Sequence, residues 1–213
     1  MGWAPSAKAR WIAVKGGNRL LSAFNATDVS LSRIAIKLSG EASFPTVLVF
    51  DSSGINVDHV LMDRRDVASA QCVNINSTTD VTIESSVCLS DPANNSGEAL
   101  VLTQVYGFLV TRNLFDGNSN GLFINSDGYI PNEGEISKNT INITGPYGLF
   151  LSAVTDLDVI KNNVTNTLGT GLAGTWYYDE LTDGTPLIIN FEKNKYSGFA
   201  LNGECNSLEE ICP

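Results

Sequence analysis

Acidic and aromatic residues crowd two stretches of the chain. Thr175 to Pro186 reads TWYYDELTDGTP and supplies Trp176, Tyr177, Tyr178, Asp179, Glu180 and Asp183. Ser126 to Gly134 reads SDGYIPNEG and supplies Asp127, Tyr129 and Glu133. Flat aromatic rings offer platforms to sugar rings, and carboxylates can hold hydroxyls, bind Ca2+ or move protons. For an elimination, Tyr177 or Tyr178 is the proton-transfer candidate, with Asp127, Asp179 or Asp183 holding Ca2+ or substrate. For hydrolysis, a carboxylate pair drawn from the two stretches is required, and its separation sets the stereochemical course.

A second cluster carries more charge. Asp58, His59, Asp63, Arg64, Arg65 and Asp66 fall within nine residues, around the only histidine of the chain. A single histidine argues against a His/Cys metal centre. Alternating charges on a turn usually form solvated pairs, and that reading is taken here, with acid/base chemistry as its alternative.

The elements that position these residues follow from a repeat. Val110-Thr-Arg-Asn113-Leu-Phe115 aligns with Ile136 to Ile141, Val159 to Val164 and Phe191 to Tyr196 in one direction. In the other it aligns with Ile83 to Cys88, Val57 to Met62 and Leu31 to Ile36. The marker positions 34, 60, 86, 113, 139, 162 and 194 are spaced by 26, 26, 27, 26, 23 and 32 residues, the signature of a solenoid. Apolar residues alternate with period two inside each unit, so the unit is made of short strands. Rows starting at Leu21, Val47, Val73, Leu100 and Leu149 precede the markers by a constant thirteen or so residues.

With asparagines at Asn113, Asn139, Asn162 and Asn194, this pattern resembles the right-handed parallel β-helix repeat of pectate-lyase-like proteins, over roughly residues 20 to 202. The resemblance implies an all-β fold, a single-stranded right-handed parallel β-helix of about seven coils. Residues 1–19 and 203–213 are expected as short terminal caps, with Trp3 and Trp11 covering the first coil. The resemblance also implies that the asparagines stack inside the turn between second and third strands. It implies too that a polysaccharide groove runs along the first-strand face.

In this register both long stretches fall at the corner between first and second strands, two coils apart. At about 4.8 Å per coil they flank a notch roughly 10 Å wide. Its floor is Phe123, Asn125, Phe150 and Ser152, with Tyr129 on one wall and Trp176, Tyr177 and Tyr178 on the other. Three readings stay open: loops that decorate the fold, a carbohydrate-binding notch, and a catalytic site. The outward first-strand positions, from Ser22/Phe24 to Phe150/Ser152, carry no titratable side chain. The Asp-Asp and Gly-His-Gly motifs of polygalacturonase-like hydrolases are absent from the sequence. The outward Phe24, Phe50, Phe123 and Phe150 suggest a sugar-stacking stripe or an interaction surface.

A net charge of -10 and a pI near 4.4 argue against nucleic acid as partner. No apolar run approaches the length that membrane insertion needs, and no signal peptide is visible. Of four cysteines, Cys88 falls on the inward position shared with Ile36, Met62, Phe115, Ile141 and Val164 and reads as a free buried hydrophobe. Cys72 opens a first strand where Ala99, Gly121 and Gly148 sit in other coils, and Cys205 and Cys212 are able to close a short loop. Sequons at Asn25, Asn76, Asn94, Asn142 and Asn163 lean towards an extracellular or cell-surface glycoprotein. The expectation is an extracellular β-helix module that binds carbohydrate or serves as a structural or adhesive scaffold. It requires no cofactor, though Ca2+ fits the acidic loops. A polysaccharide lyase, epimerase or glycoside hydrolase is the alternative.

Overall fold

A computed structural model describes residues 10–15, 21–39, 45–67, 71–93, 97–178 and 184–206. Their regular structure is all β, and each strand lies parallel to its counterpart one repeat away. The result is a parallel β-helix. Its strand triplets stack from Leu21–Ser39 to Gly171–Ser197, seven triplets and so six turns between first and last. No helix among the described residues is long and apolar enough to cross a membrane.

The third strands form an 8-stranded sheet running from Arg10–Lys15 and Ile34–Ser39 to Asn163–Asn166 and Lys195–Ser197. The first and second strands merge into a 13-stranded sheet. The merger comes from Val73–Glu84 and Glu98–Thr111, which run unbroken through the first corner. Left-handed residues make the bend there: Ser77 and Asp80 in one strand, Gln104 and Gly107 in the next. Such φ values favour glycine, asparagine and aspartate.

Inward residues superpose from coil to coil. Val47, Val73, Leu100, Leu122 and Leu149 form one buried row, and Ile36, Met62, Cys88, Phe115, Ile141 and Val164 form another. Parallel pairing in register at these positions keeps each row on the core side. Where the first strand begins, the wall comes too close to the third strand for any large side chain. A Cβ on Gly121 would lie 2.6 Å from Ile141 Cγ2, and one on Gly148 would lie 2.2 Å from Val164 Cγ1.

The same facing pair of rows corrects the reading of Cys88. Cys72 occupies the small-residue row and Cys88 the large-residue row, and the two are joined by a disulfide with Cα atoms 6.1 Å apart. The bond crosses the interior of a single coil, at a sequence separation of 16. Cys205 is also disulfide-bonded, while Cys212 lies outside the described residues, as do Trp3 and the sequon at Asn94. The Trp11 backbone belongs to the Arg10–Lys15 strand.

The asparagine row is a ladder of buried amides. Asn113 Nδ2 donates to Ile83 O at 2.9 Å and to Asn139 Oδ1 at 3.0 Å, and Asn113 N donates to the same Oδ1 at 2.9 Å. Asn139 repeats this with Val110 O and Asn162, and Asn162 repeats it with Ile136 O and Asn194. The ladder ends by handover: Ser86 N donates to Asn113 Oδ1, and Val60 N donates to Ser86 Oγ. Beyond that point the row is aliphatic.

The charge cluster near His59 also differs from a set of solvated pairs. Arg64 is in register with Ser90 on the inner side and is only 1% exposed. Its guanidinium donates to Thr46 Oγ1 at 3.0 Å and to Gln71 O. Burial lowers its pKa to about 10. Asp63 points outward, as strand alternation requires, and is covered by Arg65, whose Nε and Nη2 reach its two oxygens at 2.9 and 2.8 Å.

Candidate functional site: an aromatic shelf on the first-strand face

Outward first-strand residues fall into two columns. One runs Ser22, Leu48, Asn74, Val101, Phe123, Phe150, Trp176; the other runs Phe24, Phe50, Asn76, Thr103, Asn125, Ser152. The four phenylalanines therefore do not make one stripe. Phe24 stacks on Phe50 at 5.7 Å in the second column, near the N-terminal end. Phe123 stacks on Phe150 at 5.5 Å in the first column, near the C-terminal end.

Around Phe150 the rings multiply. Tyr147 meets its edge at 5.4 Å and lies 6.0 Å from Trp176, and Tyr178 meets Phe150 at 6.4 Å. Trp176 was expected on a loop wall, but the strand Gly171–Tyr177 extends through it and places it in the floor beside Phe150. Extension of the strand also turns Tyr177 inward, in register with Leu151. Its ring packs 5.0 Å from Phe191 and against the core, so it does not stand on the notch.

A cavity of about 200 Å³ opens at the foot of the shelf, lined by Glu98, Asn120, Leu122, Phe123, Tyr147 and Phe150. Glu98, Asn120 and Tyr147 were missed by the sequence reading. They occupy the position just ahead of the regular alternation, where Glu98 pairs in register with Asn120 and Asn120 Oδ1 accepts from Tyr147 N at 3.3 Å. Their signal was the same repeat carried two residues further back, beyond the start of the apolar pattern. Glu98 is tied on its other side to Gln71 Nε2, at 3.3 Å.

The remaining wall residues separate. Asp127 Oδ1 accepts from the backbone N of Tyr129 and Ile130 at 3.0 and 3.2 Å, and its Oδ2 accepts from Tyr106 Oη at 3.4 Å. That carboxylate holds its own loop in shape, and Tyr129 stands 66% exposed on it. Glu133 belongs to another face, where it lines an acidic hollow with Glu135, Asp156 and Asp158 over the second strands. Asn125 and Ser152 lie half-buried side by side on the floor, as expected. Asp179, Glu180 and Asp183 lie outside the described residues. Among the described residues, no three His, Cys, Asp or Glu side chains gather as a metal-binding group.

The shelf can therefore offer a continuous aromatic surface with hydrogen-bonding groups at its edge. When the chain is compared with known families and curated proteins, no family model and no curated sequence matches it.

Proposed function

We propose that the chain is an extracellular carbohydrate-binding β-helix module, akin to pectate-lyase-like proteins in architecture, with the shelf as its glycan site. One observation carries the reading: Phe123, Phe150, Trp176, Tyr147 and Tyr178 converge on a single outward surface. These part-exposed rings leave apolar area in contact with water, and pyranose rings present C–H faces that match it. Among the described residues, the charged group lining the cavity is a carboxylate, Glu98, and no lysine or arginine lines it. A neutral, hydroxyl-rich glycan suits that surface better than a polyuronate. The internal disulfide fits an oxidising compartment, and the exposed sequon residues Asn25 and Asn163 fit the same location. Binding is favoured over turnover because the described carboxylates near the shelf, Glu98 and Asp127, are each engaged by protein donors.

The test is titration calorimetry with neutral oligosaccharides of glucose, xylose and mannose, beside a reducing-end and unsaturated-product assay. Binding to one of these should weaken at least tenfold in Trp176→Ala and in Phe150→Ala, and stay unchanged in Phe24→Ala. Binding that ignores both shelf substitutions would sink the proposal. Product formation would replace it with the enzyme reading.

A further inference from the structure

Among the described residues, sixteen non-glycine residues adopt left-handed backbone conformations, and they fall at corresponding corners of successive coils. At the first corner most follow the usual preference: Asn25, Asp51 and Ser77 in one row, which also holds Gln104 and Ala153, and Asp28, Gly54, Asp80, Gly107 and Asp156 in another, which also holds Glu133. At the second corner they do not. There the row is Arg33, His59, Ser85, Arg112, Lys138, Lys161, Lys193, with φ between 50° and 57° throughout. Every member but Ser85 is basic, in a chain whose net charge is -10. The backbone conformation at this position favours asparagine or glycine, so it does not itself call for a long cationic side chain.

The basic side chains are exposed and stand one coil apart, so Arg112 to Lys193 span about 14 Å at about 4.8 Å per step. Arg112 is paired with Glu84 and Lys193 with Glu192. Among the described residues no salt bridge engages Lys138 or Lys161, between them. Beside the row, on the third-strand side, lies a groove of about 710 Å³. Its lining includes His59, Ser85, Arg112, Lys138, Thr140 and Asn142, and among the described residues no carboxylate lines it. Asp116, on that face, accepts a hydrogen bond from Asn142 Nδ2 at 3.1 Å, and Asp58 and Glu84 pair with His59 and Arg112 at the groove's edge. Acids of the second-strand face, Glu135 and Asp158, line a different hollow.

We infer that this edge is a second binding site, for an anionic polysaccharide whose carboxylate or sulfate groups recur along its length. Charges repeated at one-coil spacing match a polymer lying parallel to the helix axis, with its anions on Lys138 and Lys161 and its sugar hydroxyls on Thr140 and Asn142. The paired Arg112 and Lys193 extend the field at either end. The site lies at a different corner from the aromatic shelf and does not rest on it.

The experiment is a titration of the full chain with dextran sulfate and with polygalacturonate, at 20 and 200 mM salt, with uncharged dextran as control. Binding is expected to one or both anionic polymers, weakening with salt. It should fall by roughly tenfold or more in Lys138→Gln/Lys161→Gln, with folding checked by the melting temperature. Trp176→Ala and Lys37→Gln should bind these polymers like the parent chain. Absence of binding at 20 mM salt would overturn the inference. So would binding unchanged by the double substitution, or equal binding of uncharged dextran.

Discussion

Replacing Asn139 by leucine tests what the amide ladder contributes. Leucine matches asparagine in shape and the row already tolerates aliphatics at Val60 and Ile34, so steric disruption is small. Two buried backbone groups lose their partners: Asn113 N–H, held at 2.9 Å, and Val110 C=O, held at 2.9 Å. Each unpaired buried group costs about 1–3 kcal/mol, and the added apolar burial returns about 1 kcal/mol. The net loss is therefore about 3 kcal/mol, which for a chain of this size lowers the melting temperature by roughly 6–12 °C. Asn194→Leu, at the half-buried end of the ladder, should lose about half as much. Thermal melts followed by far-UV circular dichroism read both. A loss for Asn139→Leu below about 1 kcal/mol would refute the reasoning, because the ladder would then be filling space rather than satisfying the corner.

Three further outcomes are expected. Cys72→Ala/Cys88→Ala frees a loop of 16 residues and should cost about 3 kcal/mol, read as a shift of the urea midpoint. Gly148→Ala puts a methyl 2.2 Å from Val164 Cγ1 and 2.4 Å from Gly174 O, so it should be among the most damaging single-methyl changes, read as poor soluble yield. The hydrogen bonds from Arg65 hold the Asp63 carboxyl below its ordinary pKa. A depressed acid stabilises the fold above its unfolded pKa and loses that contribution as pH falls through the folded value. Asp63→Asn should therefore lower stability in the neutral region and flatten the acid limb of the stability–pH curve below about pH 4.

The coil period and the inward rows were legible because strand alternation and parallel register leave one solution for residues such as Val73, Leu100 and Leu122. The ladder was legible for the same reason, with Asn113, Asn139 and Asn162 at a fixed offset from the apolar pattern. The disulfide was not, because rows read one at a time do not show which rows face each other across the coil. The pairing of small with large residues, Gly121 with Ile141 and Gly148 with Val164, held that information. Trp176 and Tyr177 were misplaced because the run Gly169 to Gly174 looks like a loop. Gly174 is in fact a strand position, where a Cβ would strike Tyr196 Cδ1 at 2.2 Å. Once the strand continues, alternation alone sends Trp176 out and Tyr177 in. Arg64 was misread because charge was weighted above register.

The Cys72–Cys88 bond joins two walls of one coil and does not tie that coil to its neighbours. Neighbouring coils are held by ladders that propagate outward in both directions, each new coil templated on the last. A coil whose circumference is already closed has lost most of the entropy that opposes its formation. It is therefore the natural seed for assembly, with growth proceeding from Val73–Ser90 towards both ends. Dismantling should run in reverse, peeling from the termini and halting at this ring. Amide exchange under native conditions would trace that order, slowest around Ile75 and Ile83 and faster with each coil away. Removing the bond by Cys72→Ala/Cys88→Ala would abolish the gradient's centre while changing only buried residues.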